Sequence, residues 1–539
     1  MRRCHSGVSL LARMTSPFFL SVSLLSATPA FSQTPPSGFE QQLQLAQQRM
    51  TSGDWDGAIS AYRQAIQLNP QSDVAYLSLA AALLNKGSLD ESAAALSQAV
   101  PLLQSRTSSS GPEPGRTNAN RLAIANFLDN LAYAYYQSHR FDDAFKAEDM
   151  AVRVQPGVYG FWNTRGMILE SQGKLEDAIA SYKTASGLSP RTVDITHNLS
   201  EALQKGGHLD DAIAVLQQAL TFNPRAAKLQ TSLGNALFAK ERFPESEAAY
   251  RASLALQADD SPTLYGLSIA LRVQGKYAEA LKAALRAHEL APTDSDTTLG
   301  LASVYAELGR YEEATSLMQG VAGSSAGDPI YLLLQADSLE SRGRSKEALP
   351  LVQQALAARP DFPEAAATLA SLQIDFQQIP KGLEIAKAAL ATHSNSPDLH
   401  NALGLLLAAQ SHFAEAQAEF EKTLVLRPNF PDALTNRAVV LARQNRAAEA
   451  ITEFQHVLSV NSKNLKARAN LAGTLLTAKR YDEAAAAFRL AIALSPTDPD
   501  LRTNLGLALQ RAGHDAEARQ AFAEAEKLRP SSKPPTTKP

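Results

Sequence analysis

Cysteine is almost absent: Cys4 is the one thiol in 539 residues. That excludes a disulfide framework and a thiolate zinc site. Tryptophan occurs twice, and 28 glycines in so long a chain suit helices better than a turn-rich β protein. No charge of either sign is in excess, since 51 Lys+Arg face 54 Asp+Glu for a formal −3. A broadly basic nucleic-acid binder needs a strong positive surplus, so nucleic acid is not an expected partner. With 45% hydrophobic and 19% charged residues, wholesale disorder is excluded as well. At about 150 residues per domain, the length suggests three to four domains.

Long apolar runs are equally scarce. Within residues 1–32, Arg2, Arg3 and Arg13 precede an apolar run from Phe18 to Leu25, followed by Ala27, Pro29 and Ala30. Positive, then apolar, then small is the order of a secretory signal, cleaved after Ser32 or Ala30. The run is far shorter than the roughly 20 residues a bilayer span needs, so no integral span is expected in the mature chain. Cys4 precedes the apolar run and cannot be a lipoprotein acceptor. Removal of 1–32 leaves 48 bases against 54 acids, a mildly acidic, cysteine-free protein expected in the periplasm or outside the cell.

What the chain does have is a period. Pro156, Pro190, Pro224, Pro292, Pro360, Pro428, Pro496 and Pro530 lie on one 34-residue grid. The grid slips by 18 residues before Pro70, and the polar, Pro/Gly-rich stretch Ser105–Asn120 accounts for the slip. The organisation expected is therefore repeats 1–2 over 39–106, an insertion loop over 107–124 leading into repeat 3, repeats 3–14 over 125–532, and a disordered tail over 533–539.

With the proline at position 32, position 7 is Leu in eleven of fourteen repeats, and positions 8 and 20 are small in all fourteen. Large apolar or aromatic residues recur at position 24, among them Tyr62, Tyr182, Tyr250, Phe420, Phe454, Phe488 and Phe522. Positions 4, 7, 8 and 11 share one helical face, and 20, 24, 27 and 28 share another. Position 15 is Gly in eight repeats, where a left-handed residue would end the first helix. Each unit thus reads as a helix–turn–helix pair whose backbones approach closely at 8 and 20. One pair cannot bury its apolar face alone, so the pairs must stack. Repeat 10 departs most, with Gln373 at position 11, Gly382 at 20, Ala386 at 24 and Ser394 at 32. Arg519 and Glu526 put polar groups where other repeats stack, as expected of a last repeat.

This pattern resembles the tetratricopeptide repeat. Trp162, Gly166, Ala178, Tyr182, Ala185 and Pro190 match its signature most fully, and Leu403, Gly404, Ala416, Phe420 and Pro428 match it again. The resemblance implies an all-α fold, an α-solenoid wound as a right-handed superhelix of fourteen 34-residue repeats. It also implies a concave surface, lined by the first helices, that binds peptides or proteins.

Motifs for catalysis are weak. Gly323-Ser324-Ser325-Ala326-Gly327 matches G-x-S-x-G, but a hydrolase elbow needs a strand before it, and helices are expected on both sides here. His208, His412 and His514 fall in inter-helix turns and His400 on a core position. No metal-binding pair and no Gly-rich phosphate loop is present. No metal, cofactor or catalytic residue is therefore expected, and an enzyme acting on glycans or peptides is the weakest reading.

Function then falls to the groove. The resemblance places positions 2, 5, 6, 9, 12 and 13 on the concave face. Asn436, Asn470 and Asn504 stand at position 6 of consecutive repeats, where an amide can both donate to and accept from an extended peptide. Arg443, Lys466 and Arg511 accompany them. Of the family's carboxylate clamp only Asn436 and Lys466 are matched, so a C-terminal carboxylate is not the expected ligand. Repeats 8 to 11 instead carry Glu307, Asp337, Glu340 and Asp375 at groove positions with no Lys or Arg among them, an acidic patch expected to draw a basic segment. The expected function is a non-catalytic interaction scaffold. The alternative is an adaptor or regulatory subunit of an envelope polysaccharide or outer-membrane assembly machine, which a co-purifying partner would reveal.

Overall fold

Helix boundaries follow the grid. A computed structural model describes residues 37–109 and 114–528, and twenty-nine helices, α1 (Gly38–Thr51) through α29 (Asp515–Leu528), account for most of them. No strand occurs among the described residues. First helices often start on a side-chain cap, as when Ser72 accepts from the Ala75 amide or Asn464 from the Ala467 amide. Several also have proline in the first turn, where its missing N–H costs nothing. The turn inside every repeat is left-handed at position 15. Eight glycines take it, and His139, Glu241, Gln377, Ser411, Asn445 and Lys479 take it at φ of about +60° where glycine is absent.

The small residues at 8 and 20 meet as expected. Ser92 donates to the Ala80 carbonyl and Ser246 to the Gly234 carbonyl, both at 2.8 Å, contacts only short side chains could make. The glycine at position 8 also seats the ring at position 24. A methyl group on Gly166, Gly234, Gly404 or Gly506 would lie 2.5–2.6 Å from the ring of Tyr182, Tyr250, Phe420 or Phe522.

The described residues fall into two compact units, 1–224 and 225–539. In each, consecutive helices pack as pairs and the pairs stack on their sequence neighbours. The second unit's core is a succession of small clusters, each spanning two or three repeats, as nearest-neighbour stacking requires. Arg519 and Glu526 are exposed on α29.

The insertion differs from the loop expected. α4 (Leu89–Ser109) and α5 (Pro114–Gln137) run 21 and 24 residues, so 107–109 and 114–120 are helical. Pro114 is preset for a first helical position, and no proline or glycine interrupts 116–137. Residues 110–113 lie outside the described residues, as do the leading 32 with Cys4 and the tail 533–539. The G-x-S-x-G match also differs from a plain loop. α16 (Tyr311–Gln319) stops early at Gly320, and a one-turn helix, α17 (Ala322–Ser325), fills the gap with Ser325 buried.

Repeat 10 is the irregular one. Its first helix, α20 (Pro363–Leu372), has 10 residues where α22 (Pro397–Ala409) has 13. Gln373 is buried at its end and donates to the Leu369 carbonyl at 2.9 Å. Short helices open at lower cost. Hydrogen exchange is expected to be faster in α20 than in α22; equal protection would show that neighbours compensate.

Candidate functional site

The expected polar groove residues lie on first helices. Asn436 on α24 (Pro431–Arg443) is buried, donating its amide to Asn401 Oδ1 at 3.1 Å and accepting from Lys466 Nζ at 3.4 Å. Asn198 donates to Asn163 Oδ1 at 2.9 Å in the same way. In these two repeats the asparagine at position 6 bridges to an asparagine at position 5 of the preceding repeat, and at Asn436 little of the amide is left for a ligand. Asn470 and Asn504 are half-buried, while Arg443, Lys466 and Arg511 are exposed.

The acidic patch is not uniform. Glu307, at the end of α15 (Ser295–Glu307), is held by Arg272 at 2.7 Å and by Arg427 at 3.2 Å. Arg427 follows α23 (Phe413–Leu426) and also forks onto Asp398, with Nη2 to Oδ2 at 2.8 Å and Nη1 to Oδ1 at 3.3 Å. No Lys or Arg stands at a groove position of repeats 8 to 11, and the two cations that reach Glu307 come from outside those positions. Arg272 comes from α13 (Ser261–Val273) one repeat before, and Arg427 from a turn 120 residues along the chain.

Asp337 and Glu340, on α18 (Pro329–Glu340), and Asp375 have no such partner. Asp337 accepts from the Thr368 hydroxyl at 3.4 Å, and Asp375 accepts from the Ser345 hydroxyl. Among the described residues no Lys or Arg lies within ion-pair distance of these three carboxylates. Burial, then the neighbouring Glu340, holds the Asp337 carboxyl well above its usual range. Burial and Asp375 push Glu340 up to about 7, against the opposing pull of Lys466.

A second polar site lies in the first unit, in the repeat core. Glu148, on α6 (Phe141–Val154), takes position 24, and it is fully buried with neither carboxyl oxygen meeting a donor. Burial, then Asp129, raises its pKa, and Arg165 opposes; a protonated Glu148 can donate to the Asp129 carboxylate. Arg165 stands over the Phe145 and Trp162 rings and donates to Ser181 at 2.8 Å. The signal was in the sequence, since Glu148 is the only charged residue at position 24 in fourteen repeats. Arg427 left no such signal, because its partners are set by how the unit winds.

The histidines are engaged locally: His400 Nδ1 lies 2.6 Å from Glu419, and His208 and His514 reach Glu176 and Asp482 at 3.3 and 3.0 Å. Among the described residues no cluster of three His, Cys, Asp or Glu could hold a metal, and no helix is long and apolar enough to cross a membrane.

Profiles described as tetratricopeptide repeat match residues 49–107, 130–191, 197–261, 271–337, 339–406, 401–458 and 441–489, and one described as TPR repeat matches 475–513. The chain belongs to the tetratricopeptide-repeat family. The TPR repeat-containing protein MJ1428 of Methanocaldococcus jannaschii is 26% identical over 155 residues, which is 24% of this chain and 27% of that protein. The chain therefore matches about a quarter of that curated relative's length. Two solved structures are similar. The Cut9–Hcn1 hetero-tetramer of APC/C covers 92% of this chain and 94% of its own at 14% identity and TM-score 0.46. A tetratricopeptide repeat protein from Parabacteroides merdae covers 46% and 97% at 18% identity and TM-score 0.39. Asp337 and Glu340 lie on first helix α18, whereas Asp375, expected on the first helix of repeat 10, falls in the turn after α20 because that helix stops at Leu372.

Proposed function

We propose that this chain is a non-catalytic scaffold, exported to the periplasm or beyond, that holds a protein partner through a basic segment in the groove of its second unit. The observation carrying this reading is the set Asp337, Glu340 and Asp375: three carboxylates on two consecutive repeats with no Lys or Arg within ion-pair distance, Asp337 and Asp375 each accepting from a hydroxyl. Bringing arginine or lysine to them relieves their mutual repulsion, which is where recognition energy would come from. The leading segment supports export by its charge and apolar order alone.

A fluorescent octa-lysine peptide titrated by anisotropy tests it. Affinity is expected to fall roughly tenfold as salt rises from about 0.05 to 0.5 M, because screening weakens each contact. The triple variant Asp337→Asn, Glu340→Gln, Asp375→Asn is expected to lose most of the binding and its salt dependence together. Glu340 adds a pH signature. Its folded pKa is raised, so its proton stabilises the folded protein fully below the ordinary carboxylate range, and that contribution is lost as pH climbs through about 7. Peptide binding is expected to strengthen over the same window as Glu340 ionises, and Glu340→Gln to flatten it. Binding indifferent to both salt and the triple variant would sink the basic-partner reading.

A further inference from the structure

Four contacts tie the start of the second unit to turns far along the chain. Arg427, about 5% exposed at its side chain, reaches Glu307 and Asp398. Asn461, which ends α25 (Ala447–Val460), donates to the Leu308 carbonyl. Val460 packs against the cluster built on Tyr277, Leu301 and Leu308. Gly275, in the turn after α13, has left-handed backbone and sits so close under the Pro428 carbonyl that a Cβ could not be placed there. Repeats 7 and 8 are thereby held against the turns that end the second helices of repeats 11 and 12.

Arg427 is not at a position that demands such a role. Arg359-Pro360-Asp361-Phe362-Pro363 and Arg427-Pro428-Asn429-Phe430-Pro431 are the same local motif. In both, the guanidinium stacks on the phenylalanine, at 4.5 and 4.6 Å. Arg359 is exposed and reaches no carboxylate, only the Asp361 carbonyl at 3.2 Å. Arg427 instead takes two groove acids. A third, Glu364, lies in the field of Arg272 and Arg427, with its Oε2 buried and unpartnered. The acids Glu307, Glu364 and Asp398 outnumber the two arginines there.

We propose that Arg427 is an internal stand-in for a partner's basic side chain: it latches repeats 7–8 to the turn that ends the second helix of repeat 11, and an incoming basic segment competes with it to open the groove. The stand-in rests on the basic-partner reading above; the latch does not. A competitor arginine or lysine would find in Glu307, Asp398 and Glu364 a site already shaped for a guanidinium, so opening exchanges one ion pair for another. A closed groove lowers apparent affinity by the fraction of molecules that are open.

The test uses the full chain with Cys4→Ser and spin labels on Glu312→Cys and Lys463→Cys, both exposed residues beside the latch. Arg427→Ala and Gly275→Asn are each expected to shift the label distance to longer, broader values and to raise octa-lysine affinity about tenfold. Gly275→Asn keeps every charge, and asparagine tolerates the left-handed turn, so it separates unlatching from a buried-charge folding defect. Arg359→Ala and Gly343→Asn, matched in motif and in turn geometry but with no latch contact, are expected to change neither readout. Unchanged distances in both latch variants overturn the latch. Longer distances with no gain in affinity overturn the stand-in while establishing the latch. No peptide binding to any variant overturns the basic-partner reading and the stand-in with it, and the distance shift then still decides the latch.

Discussion

Phe420→Ala is expected to cost about 3–5 kcal/mol, the usual loss for deleting a buried aromatic ring. The ring is fully buried, and its edge lies where a Cβ on Gly404 would be. Glycine has no side chain to move into the space, so the cavity stays open and the cost falls at the upper end. Phe522 holds the same position in the last repeat but is only half-buried. Phe522→Ala is therefore expected to cost less than half as much. Urea unfolding followed by circular dichroism checks the pair, and hydrogen exchange should place the Phe420 damage in repeat 11 and its two neighbours. Equal losses at the two sites would show that stacking depth does not set the value of the ring.

Glu148→Gln is expected to stabilise the first unit by about 1–3 kcal/mol near pH 8, the penalty of an unpartnered buried polar group. The gain is tied to pH. The folded pKa of Glu148 is raised by burial and by Asp129, so in the folded chain it holds its proton where the unfolded chain has released it. Its favourable contribution is complete below the ordinary carboxylate range and is lost as pH rises through the folded value. Wild type and Glu148→Gln should converge near pH 4 and separate steadily above it. Glu148→Leu, copying Leu96 and Leu216 at the same position, should behave likewise at higher pH. A wild-type stability flat in pH, with no gain in either variant, would mean that Glu148 is ionised and stabilised by Arg165.

Local geometry was legible because each of its causes is local. Pro428 or Pro496 ends a helix through its own ring, and Ser72 caps one through its own hydroxyl. Six residues adopt the left-handed turn without being glycine, so position 15 was legible by its place in the period rather than by residue type. The extension of α4 and α5 was missed because Ser, Gly and Pro were counted as breakers, although Pro114 at a first turn starts a helix instead.

The sequence by itself determined the repeat, its register, the residues that pair at 8, 20 and 24, and which side chains share the first-helix face. These depend on spacings within 34 residues, which periodicity records. Only the tertiary structure decided which of the groove acids are free. Glu307 and Asp398 are neutralised by Arg427, whereas Asp337, Glu340 and Asp375 are not, because the second unit winds so that a turn 120 residues away meets Glu307. That winding is the sum of small packing angles between successive helices, and no single repeat encodes it.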